Sequence, residues 1–206
     1  MKNNHAMQLA ARLAFITSLT LLLAKFGAYY LTDSKAVLSD AIESIINVVT
    51  GAFLMLSVSV SSKPVDKNHP YGHGKIESFS AGLEGGLIII AAIVILVEAV
   101  PVFFAPQPPR NLGPGLYILG AAGAINLVVG TYLLQAGKKY KSEALSADGR
   151  HLLTDFYTTA GVIIGLLLYR LTGYLWLDPL IACLVALNIF IPGIRILAKS
   201  FKNLMD

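Results

Sequence analysis

The stretch AVLSDAIESIINVVTGAFLMLSVSVS, residues 36–61, decides the fold. It is long and apolar enough to cross a hydrocarbon core, which takes about 20 residues. Yet Asp40, Glu43 and Asn47 sit inside it. An ionisable side chain in such a span is costly, and it marks a partner inside the protein or a pathway for ions. Glu43 and Asn47 are spaced i, i+4, so they share one helical face.

Other apolar runs flank this one. Together they predict an all-α membrane protein of six transmembrane helices, at about 8–31, 36–61, 76–104, 113–136, 144–171 and 174–197. These form a single transmembrane domain over residues 1–206 with no soluble domain after the sixth span. Composition agrees: 55% of residues are hydrophobic and 14% charged, against roughly 25% charged in a soluble domain. Mean hydropathy is +0.67. The first run ends in Tyr29, Tyr30 and Leu31 rather than at a small-residue cleavage site, so it reads as a retained span and not a signal peptide. Cys183 is the single cysteine, which excludes a disulfide framework and a paired-thiolate metal site.

Six spans place both termini on one side. Lys2, Arg12, Lys63, Lys67, Lys75, Lys138, Lys139, Lys141, Arg195, Lys199 and Lys202 fall at that side, while Lys35, Arg110 and Arg170 fall at the other. The asymmetry predicts cytoplasmic termini in a bacterial-type inner (plasma) membrane. It also assigns the net charge of +4 to a membrane face and not to nucleic acid.

Span 5 repeats the polar pattern of span 2. Asp40-Ala-Ile-Glu43-Ser-Ile-Ile-Asn47 aligns with Asp148-Gly-Arg-His151-Leu-Leu-Thr-Asp155 at an offset of 108 residues. The two spans run in opposite senses, so the repeat is read as inverted, an arrangement that puts transport sites near the midplane. From a rise of about 1.5 Å per residue, Glu43 and Asn47 fall roughly 12–18 Å below the outer edge. His151 and Asp155 fall roughly 14–20 Å from the inner edge, at the same level. Two oxygens, an imidazole and a carboxylate at one point suit four-coordinate Zn²⁺. Glu43 and Asp155 supply two negative charges, which balance a divalent ion. The lack of thiolate disfavours Cu(I). The hard oxygen of Asn47 keeps Mn²⁺, Fe²⁺, Co²⁺ and Cd²⁺ open as cargo.

Three motifs now stand together: Asp40-x-x-Glu43-Ser-x-x-Asn47, His69-Pro-Tyr-Gly-His73-Gly-Lys75, and His151-x-x-x-Asp155. In these the chain resembles the cation diffusion facilitator family over essentially its whole length, as a short or truncated member lacking the family's C-terminal cytoplasmic domain. The resemblance implies export of Zn²⁺ or a related ion from the cytoplasm in exchange for protons, by a homodimer in the lipid bilayer. It implies transport ligands at Glu43, Asn47, His151 and Asp155. The family's first ligand is usually Asp or His and its second Asp, so Glu43 and Asn47 depart from the pattern. Asp40 and Asp148 match family positions beside the site, with helix-to-helix hydrogen bonding as their role and direct ligation as the alternative. Asp66, His69 and His73 match a peripheral cytoplasmic-loop metal site, for which a solvated structural loop is the alternative. Lys75 and Asp206 match a family charge interlock.

Lys25, Glu84, Glu98 and Asn126 are further polar groups within spans, able to snorkel, pair or line a cavity. Gly82, Gly85 and Gly86 predict close helix packing in span 3. Tyr169, Tyr174 and Trp176 read as interfacial anchors, and Cys183 as a small packed residue. An enzyme is not expected, and no cofactor: the chain has no Walker motif, no HExxH and no nucleophile beside a positioned base. A membrane metalloenzyme using Glu43 as general base, and a passive divalent-cation channel, are the rival readings.

Overall fold

The structure, a computed structural model, describes residues 2–61, 75–105, 107–140 and 142–205. Among them are six long helices: α1 Lys2–Thr32, α2 Lys35–Ser61, α3 Lys75–Ala99, α4 Leu112–Tyr140, α5 Glu143–Thr172 and α6 Leu177–Met205. Each contains a segment long and apolar enough to cross a membrane. Large apolar side chains such as Leu9, Leu23, Ile90, Val97, Leu171 and Ile191 face outward from the bundle, where lipid makes them inexpensive.

Local chemistry sets the ends. Ser142 caps α5 by accepting from the Leu145 backbone N–H at 3.3 Å. Gly173, at φ 73°, closes α5 in the left-handed conformation, and its N–H reaches Tyr169 O at 2.8 Å. Residues 174–176 then turn, so the last helix starts at Leu177 and not near 174 as the apolar run alone suggests. α6 also runs past 197 to Met205, because the helix continues into a polar segment that a hydropathy reading trims. The apolar window of α3 begins only at Gly85.

The helices pack as two groups. α1, α2, α4 and α5 form one, through α1–α2, α1–α4 and α4–α5 contacts, while α3 and α6 form an extensive pair. α2 touches α3, α5 and α6, and so links the groups. At its start, Asp178 from the first turn of α6 accepts from the backbone N–H of Lys35 at 2.7 Å and of Ala36 at 3.2 Å, and from the Ser34 hydroxyl. Those are orphan donors of a helix N-terminus, satisfied here across two helices. Lys35 Nζ pairs with Glu98 Oε2 at 2.9 Å, adding α3 at the same end.

Small residues set the spacing inside the α3–α6 pair. A Cβ on Gly85 would lie 2.8 Å from Leu197 N and 2.9 Å from Gly193 O, whereas one on Gly86 would meet nothing. The expectation of close packing at Gly82 and Gly85 therefore matches the α6 contact, and Gly86 is a correction: it points away from the neighbouring helix. Gly85→Ala is expected to cost about 1–3 kcal/mol through overpacking, read as a lower thermal midpoint in detergent. Gly86→Ala is expected to leave the midpoint unchanged or raise it slightly through helix propensity.

Candidate metal centre

The four-helix group is layered. One apolar cluster holds Ala10, Ala14, Leu54, Leu133 and Leu152. Another, further along the same helices, holds Ala28, Val37, Leu119, Val162 and Leu166. Between them in sequence, on all four helices, lie buried polar groups: Ser18 and Lys25 on α1, Asp40, Glu43, Ser44 and Asn47 on α2, Asn126 on α4, and Asp155, Thr158 and Thr159 on α5. A buried polar layer between apolar layers needs internal partners, since lipid offers none.

α2 and α5 run antiparallel where they meet, with Asp40 beside Thr159, Glu43 beside Thr158, and Asn47 beside Asp155 and His151. Asn47 is the hinge of the cluster. Its Nδ2 donates to Asp155 Oδ2, and its Oδ1 lies 2.7 Å from His151 Nε2. With an amide oxygen as neighbour, His151 Nε2 carries the proton in this arrangement. His151 Nε2 is 4.0 Å from Asp155 Oδ1, and that oxygen accepts no hydrogen bond although it is buried. Glu43 Oε2 is 3.3 Å from the Thr158 hydroxyl, which also reaches Asp155 O at 3.0 Å. One hydroxyl proton serves one of those acceptors at a time.

Glu43, Asn47 and Asp155 are enclosed, while the His151 side chain is 19% exposed. Of the four, His151 is thus the one that reaches the bundle surface. Among the described residues no three His, Cys, Asp or Glu side chains stand together closely enough to hold a metal by themselves. The three ionisable groups are joined through the amide of Asn47 instead. Closing them around an ion requires His151 Nε2 to lose its proton, Asn47 to release it, and Glu43 to swing from Thr158. The donor types fit a divalent cation: two carboxylates, an imidazole and an amide oxygen, with Asp155 Oδ1 already lacking a partner.

Lys25 is the feature that hydropathy reading left open. Its side chain is 1% exposed, and its ammonium pairs with Asp40 Oδ1 at 2.9 Å, while Thr159 Oγ1 lies 3.3 Å away. Thr159 in turn donates to the same Asp40 oxygen at 2.8 Å. Asp40 therefore ties α2 to α1 as well as to α5. The signal for this was present. The α1–α2 connection is only Asp33 and Ser34, so an antiparallel hairpin puts residues equidistant from that turn side by side.

Asp148 lies one turn before His151 on α5, partly buried. Glu98 is in the ion pair with Lys35, and Asn126 is fully enclosed in the polar layer. Tyr174 and Trp176 are exposed neighbours, ring centroids 6.0 Å apart, at the α5–α6 turn. Cys183 packs beside the α3–α6 apolar cluster. Asp66, His69, His73 and Asp206 lie outside the described residues, as do the side chains of Lys75 and Glu84.

Residues 11–205 match the cation efflux transmembrane domain family. The chain is 41% identical over 182 residues to the uncharacterized transporter sll1263 of Synechocystis sp., covering 88% of this chain and 59% of the relative. It is 29% identical to the metal cation efflux system protein CzcD of Cupriavidus metallidurans, over 94% of this chain and 60% of that protein. It is likewise 29% identical to the manganese efflux system protein MneP of Bacillus subtilis, over 95% of this chain and 68% of the relative. The chain thus spans about three fifths of the length of the first of these relatives.

Asn47→Leu keeps roughly the side-chain volume and removes the donor to the Asp155 carboxylate. It is expected to cost about 1–3 kcal/mol, the desolvation penalty of a buried acceptor left unpaired, measured as a loss of thermal midpoint. Thr154→Val, on the exposed side of α5, is expected to stay within about 0.5 kcal/mol of the parent.

Proposed function

This chain belongs to the cation efflux family, and from that premise we propose that it is a secondary active transporter exporting divalent metal cations, Zn²⁺ foremost, from the cytoplasm in exchange for protons. The observation that carries the proposal is the Asn47-centred cluster of Glu43, His151 and Asp155, enclosed in the bundle and open at His151. Its two carboxylates match the charge of one divalent ion, and its single imidazole supplies a donor for which metal and proton compete.

In this reading the ion approaches from the His151 side. Neutral His151 gives up its contact with Asn47 and offers a nitrogen lone pair, and Glu43 and Asp155 complete the donor set. Opening to the opposite side exposes the same groups to protons. Protonated imidazole cannot ligate, so protonation weakens binding and releases the cargo. The cycle alternates between two conformations whose balance ion and proton shift in opposite directions. The antiparallel crossing of α2 and α5 supports their treatment as the two halves of an inverted repeat, and α2, touching both helix groups, suits a moving element.

Orientation follows the Lys and Arg distribution, with both termini in the cytoplasm. The protein works as a homodimer in the inner membrane, on the family resemblance. Mn²⁺ stands as the second cargo, favoured by the neutral hard oxygen of Asn47 and by the relative whose name is manganese efflux.

Reconstituted vesicles with an imposed pH gradient test the proposal. Saturable Zn²⁺ flux that rises with the opposing proton gradient, and falls at least tenfold in His151→Ala, is the expected result. Flux indifferent to both the gradient and His151→Ala contradicts antiport. Zn²⁺ affinity is also expected to fall as pH drops, because protons compete with the metal for its donor atoms. Calorimetric titrations from pH 8 to pH 5.5 check this, and His151→Ala is expected to flatten the dependence. Asn47→Asp is expected to raise Zn²⁺ affinity relative to Mn²⁺, read in a metal-uptake comparison of the two chains.

A further inference from the structure

A buried ion pair beside a metal site needs a reason beyond stability. Replacing such a pair by apolar groups of similar volume is often neutral or stabilising, so Lys25 and Asp40 are not explained by holding α1 to α2. Their placement suggests another role. Asp40 precedes Glu43 by three residues, about one helical turn.

Charge bookkeeping makes the point sharper. Among the described residues, the enclosed charged side chains of the polar layer are Lys25, Asp40, Glu43 and Asp155. The other enclosed carboxylate, Asp178, lies at the far end of the bundle with three donors of its own. Counted in their ionised, metal-binding forms, three carboxylates and one ammonium give the layer a formal charge of two negative. Without Lys25 the layer would hold three, one more than a divalent ion balances. Without Asp40 it would hold one, and the ion would meet an unneutralised ammonium about a turn away.

We propose that Lys25 is a built-in counter-cation: by neutralising Asp40 it fixes the charge of the transport site at the value that binds a divalent ion and still lets it go. It is a positioning and specificity residue that touches no cargo. Thr159, accepting from Lys25 and donating to Asp40, holds the pair in register with α5. This inference rests on the reading of Glu43, Asn47, His151 and Asp155 as the site.

The test is calorimetric titration of Zn²⁺ into the purified full chain at fixed pH, with helicity and thermal midpoint recorded for each variant. A unit charge added or removed about a turn from the ion changes affinity on the order of tenfold to a hundredfold. Lys25→Met is expected to tighten binding by that factor and Asp40→Asn to weaken it. Lys25→Met/Asp40→Asn, which removes both charges, is expected to return within about threefold of the parent, as is Lys25→Arg. Opposite shifts that cancel in the double variant are the signature of charge balance. A purely structural pair gives weakening in both single variants and no recovery in the double, and that result overturns the proposal. So do single variants that leave the affinity unchanged. Where a single variant does not fold, a folded double variant whose affinity departs tenfold or more from the parent also overturns it. Asp155→Ala in the parent chain separates the two levels: Zn²⁺ binding that survives it refutes the site reading itself.

Discussion

A carboxylate enclosed within a membrane-spanning bundle has no water to turn to, and the arrangement of α1, α2 and α5 follows from that constraint. α2 buries Asp40 and Glu43, and α5 buries Asp155. Each is met from a neighbouring helix: Asp40 by Lys25 and Thr159, Glu43 by Thr158, Asp155 by Asn47. The provision is uneven. Asp40 has a full counter-charge, whereas Glu43 and Asp155 have only neutral donors; one oxygen each of Asp40 and Asp155 accepts no hydrogen bond. The charge left uncompensated sits where His151 opens the cluster to the outside of the bundle. The proposed transport reading rests on this uneven provision, with two carboxylates and an imidazole left for a divalent ion.

The same reasoning orders the rest of the fold. Apolar clusters on either side of the polar layer seal it along the helices. At the end where α2 begins, Asp178, Ser34, Lys35 and Glu98 bind α2 to α6 and α3. The polar cluster binds α2 to α5. α2 is thus held at one end by one helix group and in its middle by the other. In the proposed transport cycle, motion of α3 and α6 against the four-helix group would act on α2, and through it on Glu43 and Asn47.

Much of this was legible in the residues. Hydropathy located the spans because the lipid-facing sides are continuous and apolar. The i, i+4 spacing of Glu43 with Asn47, and of His151 with Asp155, put the polar side chains on single faces, and the 108-residue offset paired Asn47 with the Asp155 it contacts. Hydropathy did not reveal the role of Lys25. A single lysine in an apolar run is ambiguous until helix pairing is known, and only the two-residue turn between α1 and α2 fixes that pairing. Asp178 was missed for a related reason. It satisfies backbone donors on a helix far away in sequence, and side-chain patterns carry no trace of backbone partners. Gly86 shows the opposite error. Neighbouring glycines look alike in sequence, but helical periodicity turns only Gly82 and Gly85 toward α6.

The central claim is that one divalent ion is held by Glu43, Asn47, His151 and Asp155. X-ray absorption spectroscopy of the Zn²⁺-loaded chain addresses it most directly, because it counts donors by type. The account predicts one ion in a four-coordinate shell of oxygen and nitrogen at about 2.0–2.2 Å, with a single imidazole and no sulfur. The imidazole scattering should vanish in His151→Ala. A shell of two or more imidazoles, or one that keeps its imidazole after that substitution, would contradict it.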